Sequence, residues 1–203
     1  MKITYAVSVC DEAQELNSLL NFLIKVKEPE DDINILLDVG KTNDAVRHVL
    51  EHHKSDVTVH ERAFGGDFSE HRNHHISLCT GDYIFALDAD EMPQELLIRN
   101  IKQFHGDILA IPRMNICPGF TEEWLKEHKF RVTPTGWINW PDFQLRYFKN
   151  NGEILWKGGL HETLEGGKVQ ALEAEPALAL WHIKSVEKQD KQGIFYDSLH
   201  DKL

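Results

Sequence analysis

Long apolar runs, positive charge and cysteine are all scarce in this 203-residue chain. No apolar run approaches the roughly 20 residues that a membrane-spanning helix needs. The first residues lack the apolar core and cleavage site of a signal peptide. No Asn-x-Ser/Thr sequon occurs. Acidic residues outnumber basic ones by 33 to 22, for a formal charge of -11. General nucleic-acid binding needs a basic surface and is therefore disfavoured, though a local basic groove stays open. Cys10, Cys79 and Cys117 form no Cys-x-x-Cys pair and read as reduced thiols. These absences point to a cytoplasmic protein without a transmembrane segment.

Several catalytic signatures are missing too. No Gly-x-Gly-x-x-Gly follows the first strand, which disfavours a dehydrogenase. The nearest approach to a P-loop is Gly167-Lys168, but Val169 follows it and Glu162 stands where the first glycine belongs. The absence of Gly-x-Ser-x-Gly disfavours a serine hydrolase.

What is present centres on Gly81-Asp82-Tyr83-Ile84-Phe85-Ala86-Leu87-Asp88-Ala89-Asp90-Glu91. A short apolar run between turn signals suits a central strand of a parallel sheet. Asp88 and Asp90 fall on the same side of an extended chain, roughly 6.5 Å apart. Carboxylates at a strand's C-terminal end suit a divalent cation, or else an acidic turn before a helix.

Around that stretch the chain alternates. Ile3 to Cys10 reads as the first strand, and Leu16, Leu19, Leu20, Leu23 and Ile24 mark a helix over 12–27. Ile33 to Leu37 is the second strand, ending at Asp38. Thr42 or Asn43 caps the next helix. Asp56 to His60 is a third strand. A helix opening near Ser69 ends about Cys79, Pro93 sits near the first turn of the following helix, and Asp107 to Pro112 is a fifth strand. This is the pattern of a doubly wound sheet with ligands at its strand ends. Residues 117–142, with three prolines and three tryptophans, read as a long irregular segment holding a short helix near Glu122 to His128. Phe143 to Phe148, Ile154 to Trp156, His161 to Leu164 and Ala177 to His182 are short strand candidates, and Ser185 caps a final helix. The whole chain is expected to be one domain, with 1–114 as a ligand-holding half and 115–203 as the half that receives a second reactant.

Asp38, Asp88 and Asp90 each close a strand and converge along one sheet edge, whereas any one of them alone would read as a helix cap. Arg72 offers a fork that suits phosphate, or lies on a solvated helix face. His71-x-x-His74 lacks suitably spaced partners for zinc and reads as a helix face. Glu162 follows Gly158-Gly159 and marks either close approach to a ligand or a hairpin turn. His182 ends the last strand as a metal ligand or a core histidine.

Together these pieces resemble family 2 glycosyltransferases of the GT-A fold. Val7-Ser8-Val9-Cys10-Asp11-Glu12 resembles the opening strand and acidic turn. Leu36-Leu37-Asp38-Val39-Gly40-Lys41-Thr42-Asn43-Asp44 resembles the Val-Val-Asp-x-Gly-Ser-Thr-Asp segment, departing at Lys41 and Asn43. Asp67-Phe68-Ser69-Glu70-His71-Arg72-Asn73, the Asp88-Ala89-Asp90 motif, Leu145-Arg146-Tyr147-Phe148 and Leu160-His161-Glu162 are similar to stretches of a lipopolysaccharide-core glucosyltransferase-like subgroup.

The resemblance implies an α/β fold: a Rossmann-like, mostly parallel central sheet flanked by helices, with a smaller mixed acceptor-side region. It implies a metal-dependent inverting transfer from a nucleotide-diphosphate sugar, UDP-linked above all, to a hydroxyl acceptor, foremost a saccharide of a surface glycan or lipopolysaccharide. Asp11 or Glu12, with Asp38, would hold the base and ribose. Arg72 would contact phosphates or neighbouring acids, and Asp88 would lie near the ribose or sugar. Asp90 would hold Mn or Mg, with His182 as a further ligand. Glu162, with Asp142 second, would be the base. Trp124, Trp137, Trp140 and Trp156 offer faces for a sugar ring or fill the core. Competing readings are a transferase acting on modified DNA bases, a non-catalytic nucleotide-sugar-binding module, and a nucleotidyltransferase, whose basic Gly-rich loop is missing after the first strand.

Overall fold

The computed structural model describes residues 1–159 and 162–200, and side chains through 195 within those ranges. Leu160 and His161 lie outside the described residues. The first half alternates as its periodicity dictates: β1 (Ile3–Val9), α1 (Ala13–Val26), β2 (Asp32–Asp38), α2 (Asp44–His52), β3 (Thr58–Arg62), α3 (Phe68–Ser77) and β4 (Tyr83–Asp88). Then come β5 (Glu91–Pro93), α4 (Glu95–Asn100), β6 (Ile108–Ile116), α5 (Glu122–Glu127), β7 (Trp137–Lys149), β8 (Leu155–Lys157), β9 (Thr163–Glu165), β10 (Val169–Ala171), β11 (Leu180–Ile183) and α6 (Val186–His200). The main sheet runs in the order β3-β2-β1-β4-β7-β6-β11-β5, with β10 beside β6, while β8 and β9 pair separately.

Alternation along the central strands splits the core in two. Tyr83, Phe85 and Leu87 face the α1 side with Tyr5, Val7 and the buried Leu16, Leu19, Leu20 and Leu23. Ile84 and Ala86 face the other layer with Ile76, Phe148 and Trp156. Each fully buried leucine of α1 contributes about 1.5–3 kcal/mol relative to exposure. Gly81 has no room for a side chain: a Cβ there would meet the Thr4 backbone nitrogen at 2.5 Å. Caps fall where short polar residues stand. Asn43 accepts from the Val46 amide, Asp67 from Glu70, and Ser185 from Lys188.

Three sequence expectations need correction. Pro93 is not in a helix but pairs with Leu180 in β5, at the end of the strand order, where a missing N–H is tolerated. The segment read as irregular up to 142 becomes strand from Trp137 onward, because β6 pairs with it across a register shift between Arg113 and Asn115. Residues Pro176–Leu178 form a 3-10 turn, so the last strand begins only at Leu180.

One buried group sets an acid limit on this fold. His75 lies under the sheet with Nε2 at 3.2 Å from both the carbonyl and the Oδ1 of Asn34. Burial holds its pKa down to about 3. Unfolded, it titrates near 6.5, so below that pH the unfolded chain takes a proton that the folded chain refuses. Stability is therefore full above about 6.5 and falls by up to about 1.4 kcal/mol per pH unit towards 3. His75→Gln is expected to flatten the urea-unfolding stability profile between about pH 6.5 and 4.5. An unchanged slope would assign the acid sensitivity elsewhere.

Candidate active site

Strand register assembles the site from distant segments. Antiparallel pairing of β5 with β11 sets His182 opposite Glu91, one residue from Asp90. Parallel pairing of β6 with β11 sets Asn115 beside His182. Pairing of β6 with β7 sets Arg113 opposite Asp142. All of this lies beyond the C-terminal end of β4, where Asp88 closes the strand.

The side chains then form one chain of alternating acids and guanidiniums. Glu162 Oε1 accepts from Arg72 Nε at 2.7 Å, and Arg72 Nη2 reaches both oxygens of Asp88 at 3.0 and 3.2 Å. Arg146 Nη2 donates to Asp88 Oδ2 at 3.0 Å and to Glu91 Oε1 at 2.8 Å, while its Nε donates to Glu91 Oε2 at 2.8 Å. Arg113 donates from Nη1 to Glu91 at 2.8 Å and from Nε and Nη2 to Asp142 Oδ2 at 3.0 and 2.7 Å. Asn115 Nδ2 donates to the same Asp142 oxygen at 2.8 Å, and its Oδ1 lies 2.9 Å from His182 Nδ1. His182 Nε2 lies 3.5 Å from Asp90 Oδ2.

Burial alone would raise the carboxyl pKa values here, but the paired cations win. Arg146 and Arg113 hold Glu91 well below the usual carboxylate range. Asp90 is held far down by His182, Lys184 and Lys188, and Asp142 is lowered by Arg113 and Asn115. Glu12 differs. Burial pushes it up, although its Oε2 accepts from the Cys10 and Asp11 amides.

Helix α3 fastens the 156–159 segment to the sheet. Asn73 exchanges hydrogen bonds with the Trp156 backbone in both directions at 2.9 Å. Ser69 donates to the Gly158 carbonyl, and the Gly159 carbonyl accepts from the Phe68 amide. Two turns of helix thus aim Arg72 at Asp88 on one side and at Glu162 on the other.

A family model described as Glycosyl transferase family 2 matches residues 4–161. The chain belongs to that family. Among solved structures, S. aureus TarS 1-349 in complex with UDP-GlcNAc superposes with a TM-score of 0.61 at 15% identity, covering 91% of this chain and 59% of that one. A longer S. aureus TarS structure gives a TM-score of 0.61 at 14% identity, covering 97% of this chain and 39% of that one. The chain therefore spans well under two thirds of those relatives. A mannosyltransferase, PcManGT from Pyrobaculum calidifontis, in complex with GDP-Man and Mn2+, matches at a TM-score of 0.45 and 17% identity, covering 62% of this chain and 46% of that one. No curated protein matches the chain. The fold is GT-A: a large, mostly parallel sheet flanked by helices. Among the described residues no helix is long and apolar enough to cross a membrane.

Members of the GT-A fold commonly use a divalent cation, and the donor set here fits one. Asn115 is oriented by Asp142, so its carbonyl faces His182 Nδ1 and accepts a hydrogen bond from that nitrogen's N–H. In neutral imidazole the bare Nε2 then faces Asp90 Oδ2. With the imidazole neutral, Nε2 and Asp90 Oδ2 are a nitrogen and an oxygen donor that one cation would share, in place of the His182 and lysine contacts that face Asp90 here. Imidazole and carboxylate both suit Mn, and Mg keeps few protein ligands beside phosphate oxygens. The described residues offer no cluster of three or more ligating side chains, so a cation would need oxygens from the ligand.

The other expected residues divide. Asp88, Asp90, Asp142, Glu162, Arg72 and His182 share the network. Arg72 contacts acids. Asp38 is turned inward, its Oδ1 accepting from the Gly40 and Phe64 amides at 2.9 and 3.0 Å, so it knits two loops. Asp11 is exposed. Trp124 and Trp156 are core, whereas Trp137 and Trp140 meet edge to face on β7, half-buried. The sequence reading missed Arg113, Asn115, Lys184 and Lys188. No local motif marks them. The i, i+2 step from His182 to Lys184 was a usable signal.

Proposed function

We propose that the chain moves a sugar from a nucleotide-diphosphate sugar, UDP-linked first, to a hydroxyl of a saccharide acceptor of a surface glycan or lipopolysaccharide, by a single inverting displacement. The observation that carries this is the continuity of the network: both candidate bases and the Asp90–His182 pair hang on one set of arginines at the strand ends. Glu12 and Asp11, on the loop after β1, flank the nucleoside, and Asp38 ties together the neighbouring loops after β2 and β3. Asp90 and His182 would hold Mn or Mg, which offsets charge growing on the departing diphosphate. Glu162 takes the proton of the acceptor hydroxyl. That oxygen bonds to the anomeric carbon as the carbon–oxygen bond to the diphosphate breaks, and its electron pair leaves with the nucleoside diphosphate. Trp137 and Trp140 offer ring faces to the acceptor.

Of the two carboxylates, Glu162 is the better base. Asp142 accepts three donors on Oδ2 and Gln144 on Oδ1. Glu162 gives one oxygen to Arg72, and its Oε2 accepts from no described residue.

The test is thermal unfolding with UDP, GDP, ADP, CDP and their sugars, with and without Mn. Selective binding at a hundredfold excess over Kd adds about 2.7 kcal/mol of apparent stability. A shift with one nucleoside diphosphate, enlarged by Mn, is expected. No shift with any of them on folded protein would leave a fold without the donor site.

A further inference from the structure

Two lysines crowd the oxygen that the Asp90–His182 pair offers to a cation. Lys184 Nζ and Lys188 Nζ each lie 3.5 Å from Asp90 Oδ2, the same distance as His182 Nε2. That is beyond the usual N–H···O range of about 2.7–3.2 Å, so they surround the oxygen rather than bond it closely. Lys184 is buried, and its close hydrogen bond is to a neutral group, Gln192 Oε1 at 2.8 Å. The other acid near Lys188 is Glu15 at 3.4 Å. The neighbouring Glu12 carboxylate is fixed on backbone amides.

Local geometry holds both lysines there. Lys184 follows His182 by two residues and leaves the strand on the same side. Its amide donates to the Ile116 carbonyl at 3.0 Å. Lys188 stands one turn on, in the first turn of α6, whose start is pinned by Ser185 and by Trp124 Nε1 donating to Asp190 at 2.8 Å. At 3.5 Å neither lysine is spent on Asp90 Oδ2, with or without a cation there. Both ammonium groups thus keep N–H donors for a ligand at the strand ends, in a chain that is otherwise acidic.

We propose that Lys184 and Lys188 bind the donor diphosphate, and that these tethered charges keep nucleoside diphosphate bound even when no divalent cation is present. This rests on the donor reading above. The experiment is calorimetric titration of the full chain with UDP and GDP, and with uridine and guanosine as controls, in EDTA and in Mn. The wild type is expected to retain diphosphate binding in EDTA. Lys184→Met/Lys188→Met should lose at least tenfold in affinity for the diphosphate there, with nucleoside affinity unchanged, and the two Arg replacements should restore it. Should the double variant not fold, Lys188→Met alone, on the half-buried helix face, is expected to lose severalfold. The proposal is overturned by variants that bind UDP or GDP in EDTA as tightly as wild type. It is also overturned by a wild type that binds only with Mn. Failure of the wild type to bind either diphosphate under both conditions would overturn the donor reading itself, and this proposal with it.

Discussion

Glu162→Gln is expected to lower kcat by about 10²–10⁴-fold while leaving nucleoside diphosphate affinity close to wild type. The substitution keeps the side chain's size and a hydrogen-bond acceptor for Arg72 Nε, which lies 2.7 Å away. It removes the negative charge and the site that takes the proton. Arg72 keeps its two bonds to Asp88, so the helix that presents it stays anchored. Asp142→Asn should act differently. Its charge neutralises Arg113, and its Oδ2 orients Asn115 and through it His182. That change is expected to raise the Mn concentration needed for half-maximal rate and to lower kcat by less than the Glu162 change. Steady-state kinetics of both variants across a Mn titration decide between them. Unchanged turnover in Glu162→Gln with turnover abolished in Asp142→Asn would move the base to Asp142.

The first half was legible because its signals are local. Four buried leucines at helical spacing, a strand apolar on both faces and short polar caps each arise from neighbours in sequence. Asp88 and Asp90 could be picked out because an apolar run that stops at a turn leaves its next carboxylates at the sheet edge. The network could not. Arg113 meets Asp142, and Asn115 meets His182, through strand pairings that no local pattern encodes. Glu91 reads as one more acid in a turn, yet its side chain is 0% exposed because two arginines from β6 and β7 close over it. Asp38 adds a contact that no local pattern encodes, because the amides of Gly40 and Phe64 come to its Oδ1 from the loops after β2 and β3.

Arg146→Met carries the largest expected cost in stability. The Arg146 side chain is 6% exposed and makes two 2.8 Å bonds to Glu91. Removing it leaves Glu91 buried with Arg113 as its remaining close ion pair, and breaking a buried pair in this way costs about 3–5 kcal/mol. Against a typical total of roughly 5–15 kcal/mol that is a large share, and Tm should fall on the order of 10 °C. The pH dependence gives the cause away. In the wild type the depressed Glu91 pKa contributes stability that is present above the unfolded value, about 4.3, and lost as pH falls towards the folded value. In the variant the same burial is opposed by fewer cations, so the Glu91 pKa lies higher than in the wild type and protonation relieves the penalty sooner as pH falls. The gap between wild type and variant should therefore be widest near neutrality and close as pH falls below about 4. Arg146→Met/Glu91→Met should recover much of the loss, because an apolar pair of similar volume leaves no charge stranded. A single-variant loss under about 1 kcal/mol, measured by urea unfolding at pH 7, would mean that water reaches Glu91 and that the arginines orient Asp88 without locking the core.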